Sequence, residues 1–245
     1  MPTPLVNFIV VGVQKAGTTA LFDYLGDSPA VALSKVKEVH FFDDETVDWS
    51  KPDYGPYHAQ FESAAPTALH GEATPIYLYW PGSLERIAAY NPNIRLIVML
   101  RDPVERAWSH WRMEYSRGVE THPFSWCIRE GRQRLFAAEP WGVHREFSYV
   151  ERGFYGEQIE RLFSIFPREQ VLVLTADGLR EQPGESLGQV ANFLEIPRGG
   201  AVEHRDVHVG QEVGVQLAAE DRAYLRSLYA HDMARLTSLT GISLW

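Results

Sequence analysis

Lys15 sits inside a turn that begins and ends on glycine, Gly12-Val13-Gln14-Lys15-Ala16-Gly17-Thr18-Thr19. A glycine turn that feeds a helix N-terminus presents backbone N–H groups with the helix dipole behind them, which suits a phosphate group. Nucleotide-hydrolysing loops of this kind read G-x-x-x-x-G-K-[ST], with the lysine directly after the second glycine. Here Gly12 and Gly17 keep the spacing and Thr19 takes the place of the metal-binding hydroxyl, but Thr18 follows the glycine and the lysine has moved to position 15. From inside the loop Lys15 still reaches a phosphate oxygen, alongside the N–H groups of Ala16, Gly17, Thr18 and Thr19. Further on, Glu38 and His40 alternate with Val39 and Phe41, which in an extended strand puts acid and imidazole on one face. Such a pair is a general base with a helper, or equally the solvated charges of an edge strand. On their own, Arg101 reads as a capping salt-bridge partner and Ser109 as a helix-surface residue.

The elements that position these groups follow from periodicity. Phe8 to Val11 is an apolar, largely β-branched run of the buried parallel-strand type, and Thr18 to Leu25 is a helix stopped by Gly26 and Ser28-Pro29. Val31 to Leu33, Leu69 to Pro75 (a strand and turn), Arg95 to Leu100 and Val171 to Thr175 supply the other strands. Ser83 is the expected N-cap of a helix to Tyr90. Asp102, Pro103 and Glu105 form a strong helix start, with Glu105 at a capping-box spacing. Arg101 therefore lies at the carboxyl end of a strand, and Ser109 about 10 Å up the next helix at 1.5 Å per residue. Residues 44–66 are a long loop in which Trp49 and the 54–57 tyrosines are acceptor candidates. Phe124 to Ala138 is amphipathic, Tyr155 to Phe166 a core-facing helix, and Ala218 to Thr240 the last helix. The expected fold is α/β, a doubly wound domain with a parallel sheet of about five strands and ligands at its carboxyl edge. Right-handed crossovers would bring the Gly12 loop, Glu38 and Arg101 to that edge.

Composition narrows the function classes. At 45% hydrophobic residues the chain is too apolar for global disorder, and a net charge of −9 argues against a broad polyanion-binding surface such as one for nucleic acid. The single cysteine, Cys127, excludes an intrachain disulfide framework and reads as a packed thiol. No 18-residue apolar span or secretory leader pattern is present, so no membrane partner and a cytoplasmic location are expected.

Three blocks carry a family resemblance. GVQKAGTT resembles the 5′-phosphosulfate loop of sulfotransferases that use 3′-phosphoadenosine 5′-phosphosulfate (PAPS). KEVHFFD resembles the segment of heparan sulfate-type sulfotransferases, and their bacterial relatives, in which a glutamate deprotonates the acceptor. RLIVMLRDPVERAWSHW resembles their 3′-phosphate motif. The resemblance implies that Glu38 is the base, that His40 and Asp43 assist as in hydroxyl-sulfating members, and that Arg101 and Ser109 grip the 3′-phosphate. It adds Tyr155, in a G-x-Y segment, as a nucleotide contact. It covers nearly the whole chain, so residues 1–245 are expected to form one P-loop-like sulfotransferase domain. Two departures stand out. Ala73 replaces a substrate-site lysine in LHGEATP, where Glu72 remains as an acceptor-site candidate, and residues 204–214 carry only Arg205 where relatives have a basic nucleotide-covering loop.

The expected activity is sulfuryl transfer from PAPS to a hydroxyl of a small molecule, natural product or glycan. Glu38 takes the proton, His40 orients it, and Lys15 with the loop N–H groups stabilises the leaving phosphate without a metal. Two rivals remain open. One is an ATP/Mg-dependent kinase with a deviant loop and Asp102 as its metal carboxylate, and the other is a non-catalytic nucleotide-binding protein of the same fold.

Overall fold

The computed structural model describes residues 5–61, 68–138, 141–198 and 214–245. In chain order the main elements are β1 (Phe8–Gly12), α1 (Thr18–Gly26), β2 (Val31–Leu33), α2 (Gly55–His58), β3 (Leu69–Ala73), α3 (Ser83–Tyr90) and β4 (Arg95–Leu100). They continue with α4 (Pro103–Ser116), α5 (Tyr155–Ile165), β5 (Val171–Thr175), α6 (Ala176–Glu181), α7 (Pro183–Leu194) and α8 (Ala219–Thr240). Two compact units are present, Met1–Leu100 with Arg161–Val207 and Arg101–Glu160 with His208–Trp245.

The first unit holds the sheet, five parallel strands in the order β2-β3-β1-β4-β5. All five residues of β1 are buried, as a central parallel strand requires. The chain leaves β1 to one side for β2 and β3, then crosses to the other for β4. Such a reversal next to β1 makes the strand carboxyl ends the edge at which open parallel sheets bind ligands. Gly12 has a packing reason there, because a Cβ would lie 2.8 Å from the Leu78 side chain.

The second unit is helical. Asp102 caps α4, its carboxylate accepting from the N–H of Val104 (2.8 Å) and Glu105 (3.1 Å), with Pro103 at the first helical position. Glu105 serves not as a capping-box partner but as the acceptor of Arg222 on α8 at 2.6 Å. Asp232 of α8 accepts from Gly156 and Glu157 at the start of α5. Arg106 is fully buried and donates to the Tyr149 carbonyl.

Several sequence boundaries shift. Gly82, left-handed at φ 79°, caps α3 in place of Ser83, whose hydroxyl donates instead to the Phe42 carbonyl at 3.0 Å. The amphipathic stretch from Phe124 to Ala138 forms short helical turns at Phe124–Cys127, Glu130–Arg132 and Gln133–Ala137, with Gly131 packed against Trp126. Cys127 is buried and its thiol is pushed well above the usual range by burial, in keeping with a packed role.

Candidate active site

The turn after β1 is built from backbone. Val13 N–H donates to Met99 O on β4 at 2.8 Å, which ties the loop to the neighbouring strand. Lys15 and Gly17 take left-handed conformations (φ 71° and 80°), and Gly17 becomes the N-cap residue of α1. Among the described residues no side chain caps α1, so the turn brings a lysine to a helix start whose own N–H groups are left for an outside acceptor. A Cβ at Gly17 would meet nothing nearer than Ala176 Cβ at 3.9 Å. One expected donor is lost. Ala16 N–H is committed to Val13 O at 3.2 Å, which leaves Gly17, Thr18 and Thr19.

The Glu38 segment departs from the expected strand. Residues 34–44 form a loop, and Glu38 and His40 both adopt left-handed backbone (φ 65° and 57°), so alternation is not what brings them together. Glu38 N–H is held by the Ala73 carbonyl at the end of β3, at 2.9 Å. The side chains still converge. His40 Nδ1 lies 2.9 Å from Asp43 Oδ2, and His40 Nε2 makes an ion-pair contact with Glu38 Oε2 at 3.6 Å. Lys37, which the sequence reading passed over, donates to Glu38 Oε1 at 2.6 Å. Its adjacency to Glu38 was visible, but only the turn folds its ammonium back onto the carboxylate.

These contacts set the charges. Burial would raise the Glu38 carboxyl, but His40 and the Lys37 ammonium outweigh it and hold it down to about 2. Asp43 and then Glu38 raise His40 to about 9, so at neutral pH an imidazolium sits between two carboxylates. Asp43 is fully buried, which fixes the ring from behind.

Glu72 is not at an open surface. It is fully buried, and Tyr57 (3.0 Å) and Thr74 (2.6 Å) donate to its two oxygens, so the expected acceptor contact is replaced by an internal one. Trp49 is half-buried, packs on Phe41 and Phe42, lies beneath Arg86 and donates to the Asp44 carbonyl at 2.9 Å.

In the second unit, Arg101 directly follows β4 and is half-buried, and Ser109 is buried on α4. Tyr155 is fully buried, its hydroxyl has no hydrogen-bond partner among the described residues, and Arg106, Asp102 and Arg101 are among the charges that act on it. The loop at 204–213, with Arg205, lies outside the described residues. Asp102, the carboxylate a kinase would need, is spent on capping α4 and lies 3.7 Å from Arg226.

The family model described as "Sulfotransferase domain" matches residues 6–212. Human heparan sulfate glucosamine 3-O-sulfotransferase 3B1 is 30% identical over 198 residues, which cover 79% of this chain and 47% of that protein. Human heparan sulfate glucosamine 3-O-sulfotransferase 5 is 28% identical over 209 residues, 79% of this chain and 54% of that one. The chain thus spans about half the length of these relatives. The crystal structure of a sulfotransferase from Alicyclobacillus acidocaldarius superposes with a TM-score of 0.82 at 26% identity, covering 98% of this chain and 97% of that one. With a matching family model over most of its length, a site of this build and this degree of likeness, the chain belongs to the sulfotransferase domain family.

Proposed function

We propose that this chain is a PAPS-dependent O-sulfotransferase acting as one domain on a glycan or small-molecule hydroxyl. The observation that carries the reading is the lysine-bearing turn that delivers an uncapped helix N-terminus at the carboxyl end of β1. The names of the human relatives, which specify 3-O-sulfation of heparan sulfate glucosamine, support an oxygen acceptor. Bound PAPS supplies the sulfuryl group and leaves as adenosine 3′,5′-bisphosphate.

The chain's own groups divide the work. Lys15 and the N–H groups of Gly17, Thr18 and Thr19 hold the 5′-phosphate and stabilise charge there. Arg101 offers a forked donor to the 3′-phosphate, with Ser109 and Tyr155 as further nucleotide contacts. Glu38 takes the acceptor proton at a carboxylate oxygen. Clamped at about 2 it is a weak base, so an acceptor hydroxyl that displaces the Lys37 ammonium from Oε1 also raises its basicity. His40, fixed by Asp43, keeps the other oxygen oriented. Trp49 supplies an aromatic edge beside Phe41 for the acceptor.

Thermal unfolding with adenosine 3′,5′-bisphosphate, with ATP and Mg²⁺, and with AMP tests the donor assignment. At a hundred times its dissociation constant the bisphosphate adds about 2.7 kcal/mol, a rise of roughly 5–10 °C for a chain of this size. A rise with ATP and Mg²⁺ alone would overturn the reading in favour of a kinase.

A further inference from the structure

Both oxygens of the Glu38 carboxylate face a cation, and the two cations are held in different ways. Oε2 faces His40 Nε2 at 3.6 Å, and that ring is fixed from behind by the fully buried Asp43, whose Oδ2 lies 2.9 Å from Nδ1. Oε1 takes the Lys37 ammonium at 2.6 Å. The backbone around Lys37 is anchored on both sides. The Ser34 hydroxyl donates to the Val36 carbonyl at 2.7 Å, Lys35 N–H to the Gln60 carbonyl at 2.8 Å, and Glu38 N–H to the Ala73 carbonyl at 2.9 Å. The Lys37 ammonium, by contrast, rests on Glu38 alone among the described residues, at the end of a flexible four-carbon stem. It can swing away with the backbone in place, whereas His40 leaves only by breaking its contact with Asp43.

We propose that Lys37 is a positioning residue that covers Oε1 of Glu38 until an acceptor takes its place there, and so discriminates the acceptor hydroxyl from water. The inference rests on the readings of Glu38 as the base and of PAPS as the donor. A single water brings little binding energy with which to displace an ammonium from a carboxylate. An acceptor held by the rest of its surface brings more, and that energy moves the ammonium. The reaction that Lys37 suppresses is hydrolysis of the donor. Glu38 removes a proton from water as the water oxygen bonds to sulfur, and the bond from sulfur to the bridging oxygen breaks. Sulfate and adenosine 3′,5′-bisphosphate leave, and the proton on Glu38 passes to solvent. In transfer the acceptor oxygen takes the water's part. The electrostatics run the same way. Burial raises the Glu38 carboxyl, and the His40 contact and the Lys37 charge outweigh it and hold it down to about 2, so losing Lys37 leaves a stronger base.

The test compares the wild type with Lys37→Met, Lys37→Arg, Glu38→Gln and the double variant Lys37→Met/Glu38→Gln. One measurement is the release of labelled sulfate from PAPS with no acceptor added, and the other is the NMR titration of the isotope-labelled Glu38 carboxyl. Lys37→Met should raise sulfate release about tenfold and move the Glu38 titration to higher pH. Lys37→Arg, which keeps a cation on Oε1, should stay near the wild type in both. The double variant should fall back to the level of Glu38→Gln, because the added hydrolysis runs through Glu38. Unchanged sulfate release in Lys37→Met would overturn the proposal, as would a rise that survives in the double variant or a Glu38 titration that does not move. If Lys37→Met does not fold, Lys37→Gln is read by the same criteria. The titration needs no turnover. A chain that binds no adenosine 3′,5′-bisphosphate would therefore sink the donor reading, while the titration still decides whether Lys37 governs the base.

Discussion

The helices that follow β1 and β4 begin in opposite ways. Before α4, Asp102 turns its carboxylate onto two of the helix's own N–H groups and Pro103 removes a third. Before α1 the chain spends two left-handed residues, Lys15 and Gly17, and no described side chain caps the helix. Every helix start leaves N–H groups without partners inside the helix, and the chain either satisfies them itself or leaves them to water or a ligand. α4 is optimised for its own stability, so anion recognition near it falls to side chains, Arg101 and Ser109 in our account. α1 keeps its dipole and donors available, and in our account Lys15 adds positive charge beside them.

The comparison can be broken at several points, in order of expected effect. Lys15→Met should lower turnover about 10²- to 10³-fold, the scale of losing a donor to developing charge, with the ligand-free melting temperature unchanged. Steady-state assay and calorimetry would check this. Arg101→Ala should weaken adenosine 3′,5′-bisphosphate about 10- to 100-fold, as for a charged hydrogen bond, and leave AMP unaffected in titration calorimetry. Asp102→Ala should cost about 1 kcal/mol in urea unfolding, the worth of a cap, with bisphosphate affinity preserved. The reverse pattern would mean that α4's start, not α1's, is the anion site.

The smallest effect separates backbone from side-chain charge. His40 is raised in the fold from 6.5 to about 9 by Asp43 and Glu38. Its stabilisation is fully present below about pH 6.5 and is lost as pH rises through about 9. His40 is 41% exposed, so screening keeps the difference between wild type and His40→Asn below about 1 kcal/mol. Urea unfolding at both pH values should show that gap closing on the alkaline side.

Much of this organisation was legible from residue order. Buried β-branched runs fixed the parallel strands, and the Asp102-Pro103 start of α4 was recognisable because capping is local. The Glu38 segment was not, because Glu38 and His40 meet through left-handed backbone stabilised by Ala73 and Tyr77, more than 30 residues away. Glu72 was hidden as well. From the sequence it looked like an acceptor contact, whereas it is fully buried and takes hydrogen bonds from Tyr57 on α2 and from Thr74. Ser83 misled as a cap because its hydroxyl had a better tertiary partner in the Phe42 carbonyl.

The central claim is that the α1 cradle binds the donor while Glu38 performs the proton transfer. Its most direct test follows labelled sulfuryl transfer from PAPS to a panel of oligosaccharide and small alcohols, in wild type and Glu38→Gln, with bisphosphate-induced stabilisation measured on both. The account predicts that Glu38→Gln loses turnover by at least about 10²-fold and keeps the full bisphosphate shift. A Glu38→Gln enzyme that turns over like the wild type, or one that no longer responds to the bisphosphate, would contradict it.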